Sequence, residues 1–112
     1  MSILQNASQD ELQMMLVAIP EKTVPQYDLN TLPPGIILRL RTHHHWKYLL
    51  EADSDGYIHV VLSDVTGSVG SAKYRGRHLI EKGYTTLAVN NTFKYGKLLT
   101  AILAEIAILA PQ

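Results

Sequence analysis

Cysteine is absent from this chain of 112 residues, and phenylalanine and tryptophan each occur only once. The lack of cysteine excludes disulfide bonds, thiolate nucleophiles and cysteine-ligated zinc or iron–sulfur centres. Such a composition fits a reducing compartment, and we expect the cytoplasm. The segment from Met1 to Glu11 also lacks the basic start and apolar stretch of a secretory leader, which agrees with that expectation.

Long apolar runs are absent as well. The longest, Leu98 to Ala110, is shorter than the roughly 20 residues of a membrane-spanning helix, and Thr100 and Glu105 interrupt it. We therefore expect no membrane span. With 46% hydrophobic residues and an ordinary domain length, the chain is expected to form a single domain over residues 1–112.

The formal net charge is zero, but the charges alternate in blocks along the chain. Residues 1–35 have a net charge of −3, residues 36–50 of +3, residues 51–64 of −4 and residues 65–112 of +4. No overall field attracts polyanions. The two local basic zones suit a small anion better than a long nucleic acid in salt.

The first half of the chain shows one helix pattern and three strand patterns. Ser8 and Glu11 form a capping box that predicts a helix over residues 9–19, ended by Pro20. Residues 21–34, which contain three prolines, predict an extended connection. Alternating apolar residues then predict antiparallel strands over residues 36–41, 44–52 and 57–63, and a tight turn over residues 53–56 joins the last two.

The second half is predicted to contain helices. Small residues from Gly67 to Ser71 precede a predicted helix over residues 72–82, and Gly83 suits its C-terminal end. A strand over residues 84–89 and a long apolar helix over residues 92–109 complete the chain. The predicted fold is therefore α+β, in the order α-β-β-β-α-β-α, with a mainly antiparallel sheet of about four strands.

The predicted C-terminal helix is apolar on nearly its whole circumference. Such a helix needs burial on all sides, and a sheet of about four strands covers only one side. The uncovered apolar side predicts a homo-oligomer, a dimer or larger, in which a second copy covers it. The expected interface residues are Leu98, Leu99, Ile102, Leu103, Ile106 and Leu109.

The glycine-rich loop and the basic residues after it are the leading candidate site. Glycines let backbone amides approach an anion closely, the first turn of a helix presents free N–H donors, and nearby cations neutralise charge. The loop spacing matches neither a nucleoside-triphosphate loop nor a dinucleotide fingerprint, so no cofactor is expected. The predicted ligand-binding residues are Gly67, Ser68, Gly70, Ser71, Lys73, Arg75, Arg77 and His78.

Two other functional classes remain open. Arg39, Arg41 and Lys47 lie on neighbouring predicted strands with Trp46 and Tyr48, a combination that can bind single-stranded nucleic acid. Alternatively, His59 and His78 could transfer protons beside the glycine-rich loop, with Arg75 or Arg77 stabilising negative charge, as in phosphodiester cleavage.

The histidines of the run His43 to His45 give too few ligands for a metal site, and none is predicted. The favoured hypothesis is a non-enzymatic, homo-oligomeric protein that binds a small phosphate-bearing, nucleotide-like ligand. Its partners would be that ligand and a second copy of itself, with nucleic acid as the alternative and no membrane contact.

Overall fold

The computed structural model describes residues 2–63, 72–80, 83, 85–95, 98–99 and 101–109. Two helices come first, followed by a mostly antiparallel β structure. The helices are α1 (Ile3–Asn6) and α2 (Gln9–Val17), and a single 3-10 turn spans Leu29–Thr31. The strands are β1 (Lys22–Val24), β2 (Gln26–Asp28), β3 (Ile37–Thr42), β4 (Lys47–Ala52), β5 (Tyr57–Leu62), β6 (Lys73–Leu79), β7 (Thr86–Ala88), β8 (Lys94–Tyr95), β9 (Leu98–Leu99) and β10 (Leu103–Leu109).

Six of these strands form one antiparallel sheet in the order β1-β10-β3-β4-β5-β6. The remaining strands pair as β2 with β7 and β8 with β9. Side chains of the 3-10 turn and β7 pack on one face of the large sheet, and those of α1 and α2 pack on the other. The sheet therefore has a hydrophobic core on each side. None of the helices in the described part of the chain is both long and apolar enough to span a membrane.

The helix and the three-strand meander predicted in the first half are present. Ser8 caps α2: its hydroxyl accepts from the Glu11 N–H, and the Glu11 carboxylate accepts from the Ser8 N–H. In the turn between β4 and β5, Gly56 adopts a φ of +83°, and the Asp53 carboxylate accepts from the N–H of Asp55 at 2.8 Å. Local hydrogen bonding thus fixes both elements, as the sequence pattern indicates.

The predicted extended connection over residues 21–34 is wrong in part, because this segment contains β1, β2 and the 3-10 turn. β1 pairs with β10, and β2 pairs with β7. Pro25 lies between the two short strands, and its carbonyl oxygen accepts from the Val89 N–H. The prolines limit the length of each strand without preventing the pairing.

The long C-terminal helix predicted over residues 92–109 is wrong, and with it the predicted α+β fold. This segment contains β8, β9 and β10. β10 lies between β1 and β3, so both of its edges are paired, and Ile106 and Leu109 are buried in opposite cores. A strand covered on both faces is apolar throughout, and over a short run this pattern cannot be distinguished from a buried helix.

The helix predicted over residues 72–82 is also wrong, since residues 73–79 form the edge strand β6. Pairing with β6 satisfies the second edge of β5, whose residues Ile58, Val60 and Val61 are fully buried. The register shifts between Val60 and Val61, and Gly76 opposite this shift has a φ of +110°. This backbone geometry is unsuitable for a helix but typical of a β-bulge. Of the strand predicted over residues 84–89, Thr86–Ala88 is present as β7, and residue 84 lies outside the described residues.

Candidate functional site

Strand β6 brings four of the predicted ligand-binding residues onto one edge of the sheet. Lys73, Arg75 and Arg77 are exposed, and His78 is half-buried with its Nε2 atom 3.2 Å from the Arg75 carbonyl oxygen. In the described part of the chain, no strand pairs with the outer side of β6. The other predicted ligand-binding residues, Gly67, Ser68, Gly70 and Ser71, lie outside the described residues.

Arg77 is held by the turn between β4 and β5. Its Nε donates to Asp53 Oδ2 at 2.6 Å, and a terminal nitrogen donates to Asp55 Oδ2 at 3.0 Å. The guanidinium carbon lies 4.0 Å from the centre of the Tyr57 ring, within the range of a cation–π contact. Two carboxylates and one aromatic ring therefore fix this cation, and they compete with any external anion.

The same contacts stabilise the ionised form of Asp53. The hydrogen bond from Arg77 lowers the pKa of this carboxyl to about 2, partial burial opposes the shift, and the N–H groups of Asp55 and Tyr57 add to it. The sequence pattern indicates only the turn-forming role of Asp53. Its second role depends on Arg77, which is 24 positions away along the chain.

The stability of the fold is expected to depend on Asp53 between about pH 4 and pH 2. A carboxyl with a lowered folded-state pKa stabilises the fold above its unfolded pKa of about 3.9, and this contribution is lost as the pH falls towards 2. Asp53→Asn removes this titration but keeps an oxygen for the turn. Urea unfolding at several pH values measures the difference in free energy of unfolding between wild type and variant. This difference should become smaller as the pH falls from about 4 to about 2. A difference that does not depend on pH would contradict the lowered pKa of Asp53.

His59 lies at the centre of a buried hydrogen-bonded group. Its Nε2 lies 3.2 Å from Asp53 Oδ2, and its Nδ1 lies 2.5 Å from the Tyr74 hydroxyl oxygen. The carboxylate can only accept, so its position favours the neutral tautomer with the proton on Nε2, in which the Tyr74 hydroxyl donates to Nδ1. Burial and then the Glu51 charge raise the pKa of Tyr74. Because His59 is 6% exposed, with Nδ1 hydrogen-bonded to Tyr74 and Nε2 beside the Asp53 carboxylate, a substrate has little access to its ring.

A neighbouring buried carboxylate, Glu51, binds the N-terminal segment. Glu51 is 3% exposed and accepts from the Ser2 hydroxyl at 2.9 Å and from the N–H groups of Ile3 and Leu4 at 3.0 Å each. These donors belong to the start of α1, whose next N–H group, that of Gln5, donates to the Ser2 hydroxyl oxygen at 3.0 Å. Sequence reasoning misses Glu51 because its partners are more than 40 positions away.

A cleft of about 460 Å³ lies between the N-terminal segment and the β4–β5 turn. Its charged side chains are three carboxylates and Arg77, and the His59 ring also lines it. The carboxylates outnumber the cation, so the cleft repels a phosphate group. The lining residues that contribute this chemistry are Ser2, Glu51, Asp53, Asp55, His59 and Arg77.

The basic residues predicted for nucleic-acid binding face the end of α2. One terminal nitrogen of Arg39 donates to the carbonyl oxygens of Met15, Leu16 and Ala18 at 3.3, 3.0 and 2.7 Å, and burial lowers its pKa. The Lys47 ammonium lies 3.5 Å from the Leu16 oxygen. Arg39 is 8% exposed, so it caps α2 from within the fold. Of the three predicted residues, only half-buried Arg41 makes no such contact with α2 in the described residues.

The predicted oligomer-interface residues do not form one surface. Leu103, Ile106 and Leu109 are buried within the chain, and Ile102 is 48% exposed. Leu98 and Leu99 form β9, and the burial of their side chains is outside what the structure describes. The apolar C-terminal segment is thus covered by its own sheet in β10, which removes the reason to place a second copy there.

Lys73 and Arg75 differ from the cations above. Both are exposed, and neither forms an ion pair with a carboxylate among the described residues. Within the same residues, no group of three or more histidine, aspartate or glutamate side chains could hold a metal ion.

No family model matches the chain, and no curated protein or solved structure is detectably similar to it.

Proposed function

We propose that the protein binds a small phosphate-bearing ligand through Lys73 and Arg75 on β6. The observation behind this proposal is that both cations are exposed on one edge strand without a carboxylate partner among the described residues. Arg39 and Arg77 are already bonded to carbonyl or carboxylate oxygens, which makes them poorer receptors for an external anion. Of the basic residues on β6 that the sequence pattern predicts for ligand binding, we therefore retain Lys73 and Arg75 but not Arg77.

The spacing of the two cations suits one phosphate group. Residues two apart on a strand lie about 7 Å from each other, a span that two long side chains bridge easily. A guanidinium can donate two parallel hydrogen bonds to phosphate oxygens, while the lysine ammonium adds a point charge. In the sequence, Gly67, Ser68, Gly70 and Ser71 precede Lys73 and would add backbone amides and hydroxyls.

Binding without chemistry is favoured over phosphodiester cleavage. The cleavage hypothesis needs a histidine that can accept a proton from the substrate, but His59 is 6% exposed, and its Nδ1 is hydrogen-bonded to Tyr74. The nucleic-acid hypothesis needs an exposed basic face, but Arg39 and Lys47 contact the end of α2. Lys73 and Arg75 alone suit a short anion. The lack of cysteine supports a cytoplasmic location for this activity.

Isothermal titration calorimetry with ADP and inorganic phosphate tests the proposal. Replacing both cations, in Lys73→Gln with Arg75→Gln, should weaken ADP binding about a hundredfold, because each charge-assisted contact contributes about tenfold. The matched control is Lys22→Gln, which removes an exposed lysine from β1 at the opposite edge of the sheet and should leave the affinity unchanged.

Two further titrations identify what is recognised. Adenosine, which lacks phosphate, should not bind. Equal affinity of the double variant and the wild type for ADP, or no heat with millimolar ADP or phosphate, would contradict the proposal. A single-stranded oligonucleotide that binds more tightly than ADP, and loses affinity in Arg41→Gln, would favour the nucleic-acid alternative instead.

A further inference from the structure

Helix α2 exposes a group of large apolar side chains. Met14, Val17 and Ile19 are 68, 73 and 93% exposed, although other residues of the same helix are buried in the core. Met14 and Val17 are three positions apart, so they are neighbours on the helix surface, and Ile19 follows the helix end. Adjacent large apolar side chains on the surface of a small domain indicate a contact site.

Acidic residues surround these side chains. Asp10 and Glu11 lie one helical turn before Met14, and Glu21 follows Ile19. Hydrogen bonds from the Ser8 backbone and hydroxyl lower the pKa of Glu11, so this carboxylate is ionised at neutral pH. With Lys22, residues 10–22 have a net charge of −2. From the strands packed below, the Lys47 ammonium reaches the Leu16 carbonyl oxygen, and Arg39 is buried beside Glu105. The acidic α2 surface is defined by Asp10, Glu11, Met14, Val17, Ile19 and Glu21.

Strand β6 has the complementary character at one edge of the sheet. It presents Lys73 and Arg75 and, at its end, Leu79, which is 58% exposed. Helix α2 instead packs over the middle of one face of the sheet, where its end contacts Arg39 of β3 and Lys47 of β4. One chain therefore cannot bring its two surfaces together, but two chains can.

We propose that the acidic α2 surface of one copy binds the β6 edge of a second copy, head to tail. A symmetric contact through either surface would place like charges against each other, whereas the head-to-tail contact pairs opposite charges and buries apolar side chains on both sides. A stable interface of about 1,200 Å² in total needs about a tenth of the 6360 Å² surface of each chain. Because the head-to-tail dimer keeps one free α2 surface and one free β6 edge, association continues beyond the dimer.

Sedimentation velocity in phosphate-free buffer tests this contact with two variants. The α2 variant, Val17→Ser with Ile19→Ser, retains β6, and the β6 variant, Lys73→Glu with Arg75→Glu, retains the α2 surface. Each variant alone should be monomeric. Their equimolar mixture should form a dimer of about twice the 12.5 kDa chain mass and nothing larger. Ile102→Ser, which removes a half-exposed apolar side chain elsewhere, should associate like the wild type.

The wild type should increase in mean mass with concentration beyond a dimer, and its association should weaken about tenfold between about 50 mM and about 500 mM salt. A wild type that stays monomeric would overturn the proposal and assign the α2 surface to a different partner. Self-association of the α2 variant, or a mixture in which the two variants do not combine, would also overturn the proposal.

The contact shares Lys73 and Arg75 with the proposed phosphate site, but only the contact needs Val17 and Ile19. The α2 variant should therefore bind ADP normally, which separates failure of one proposal from failure of the other.

Discussion

Glu51→Ala is expected to lower the free energy of unfolding by about 3 kcal/mol, because the substitution leaves buried donors of α1 without an acceptor. The wild-type carboxylate accepts from the Ser2 hydroxyl and from the N–H groups of Ile3 and Leu4. The Leu4 amide is in a buried position, so water cannot easily replace the lost bond. α1 should detach from the sheet before the rest of the chain unfolds.

Urea denaturation measures the loss, and hydrogen exchange at the Leu4 amide measures the detachment. Glu51→Gln keeps one acceptor oxygen but turns an amide donor towards the remaining N–H group, so it should lose about half as much stability. Glu21→Ala removes an exposed carboxylate and serves as the matched control, with a change below about 0.5 kcal/mol. If the Leu4 amide of Glu51→Ala exchanges at the wild-type rate, Glu51 does not hold α1 on the sheet.

Arg39→Met is the second substitution with a large expected effect, again about 3 kcal/mol. Methionine fills much of the same volume but cannot donate to the three carbonyl oxygens at the end of α2. Charge-assisted hydrogen bonds to buried acceptors are among the stronger ones in proteins, and their loss leaves the helix end unsatisfied. The amides of α2 should exchange faster than those of β3.

Two variants separate capping from simple loss of charge on the same strand. Arg41→Met removes a cation on the same face of β3, two positions further on, and should change stability by less than about 1 kcal/mol. Arg39→Lys retains one charged donor group and should lose less stability than Arg39→Met. Equal losses in Arg39→Met and Arg41→Met, measured by urea denaturation, would show that the hydrogen bonds to α2 do not stabilise the fold.

Elements fixed by local chemistry are predictable from this sequence. The Ser8–Glu11 capping box and the Asp53–Gly56 turn each depend on residues within a few positions, and both form as predicted. Element type is not predictable where tertiary pairing decides it. β10 is apolar on both faces because it is a central strand, and the sequence does not show that β1 and β3 lie beside it.

In the candidate site, too, tertiary contacts decide what the local sequence does not show. Lys73, Arg75 and Arg77 look equivalent in sequence, but Arg77 is bonded to Asp53 and Asp55 and the other two have no carboxylate partner among the described residues. Likewise Arg39 and Arg41 look equivalent in sequence, but Arg39 is buried and bonded to the end of α2, whereas Arg41 is half-buried. Such distinctions depend on contacts between residues more than 20 positions apart, and the type of residue alone does not determine them.

The proposed phosphate site requires that contacts within the chain leave Arg75, rather than Arg39 or Arg77, available to an external anion. The chain has four arginines, so an NMR titration with inorganic phosphate can follow every arginine Nε–H group in one spectrum. We predict a saturable shift of the Arg75 Nε–H resonance, with those of Arg39 and Arg77 unchanged. A shift of Arg39 or Arg77 at the same phosphate concentrations, or a constant Arg75 resonance, would contradict the proposed site.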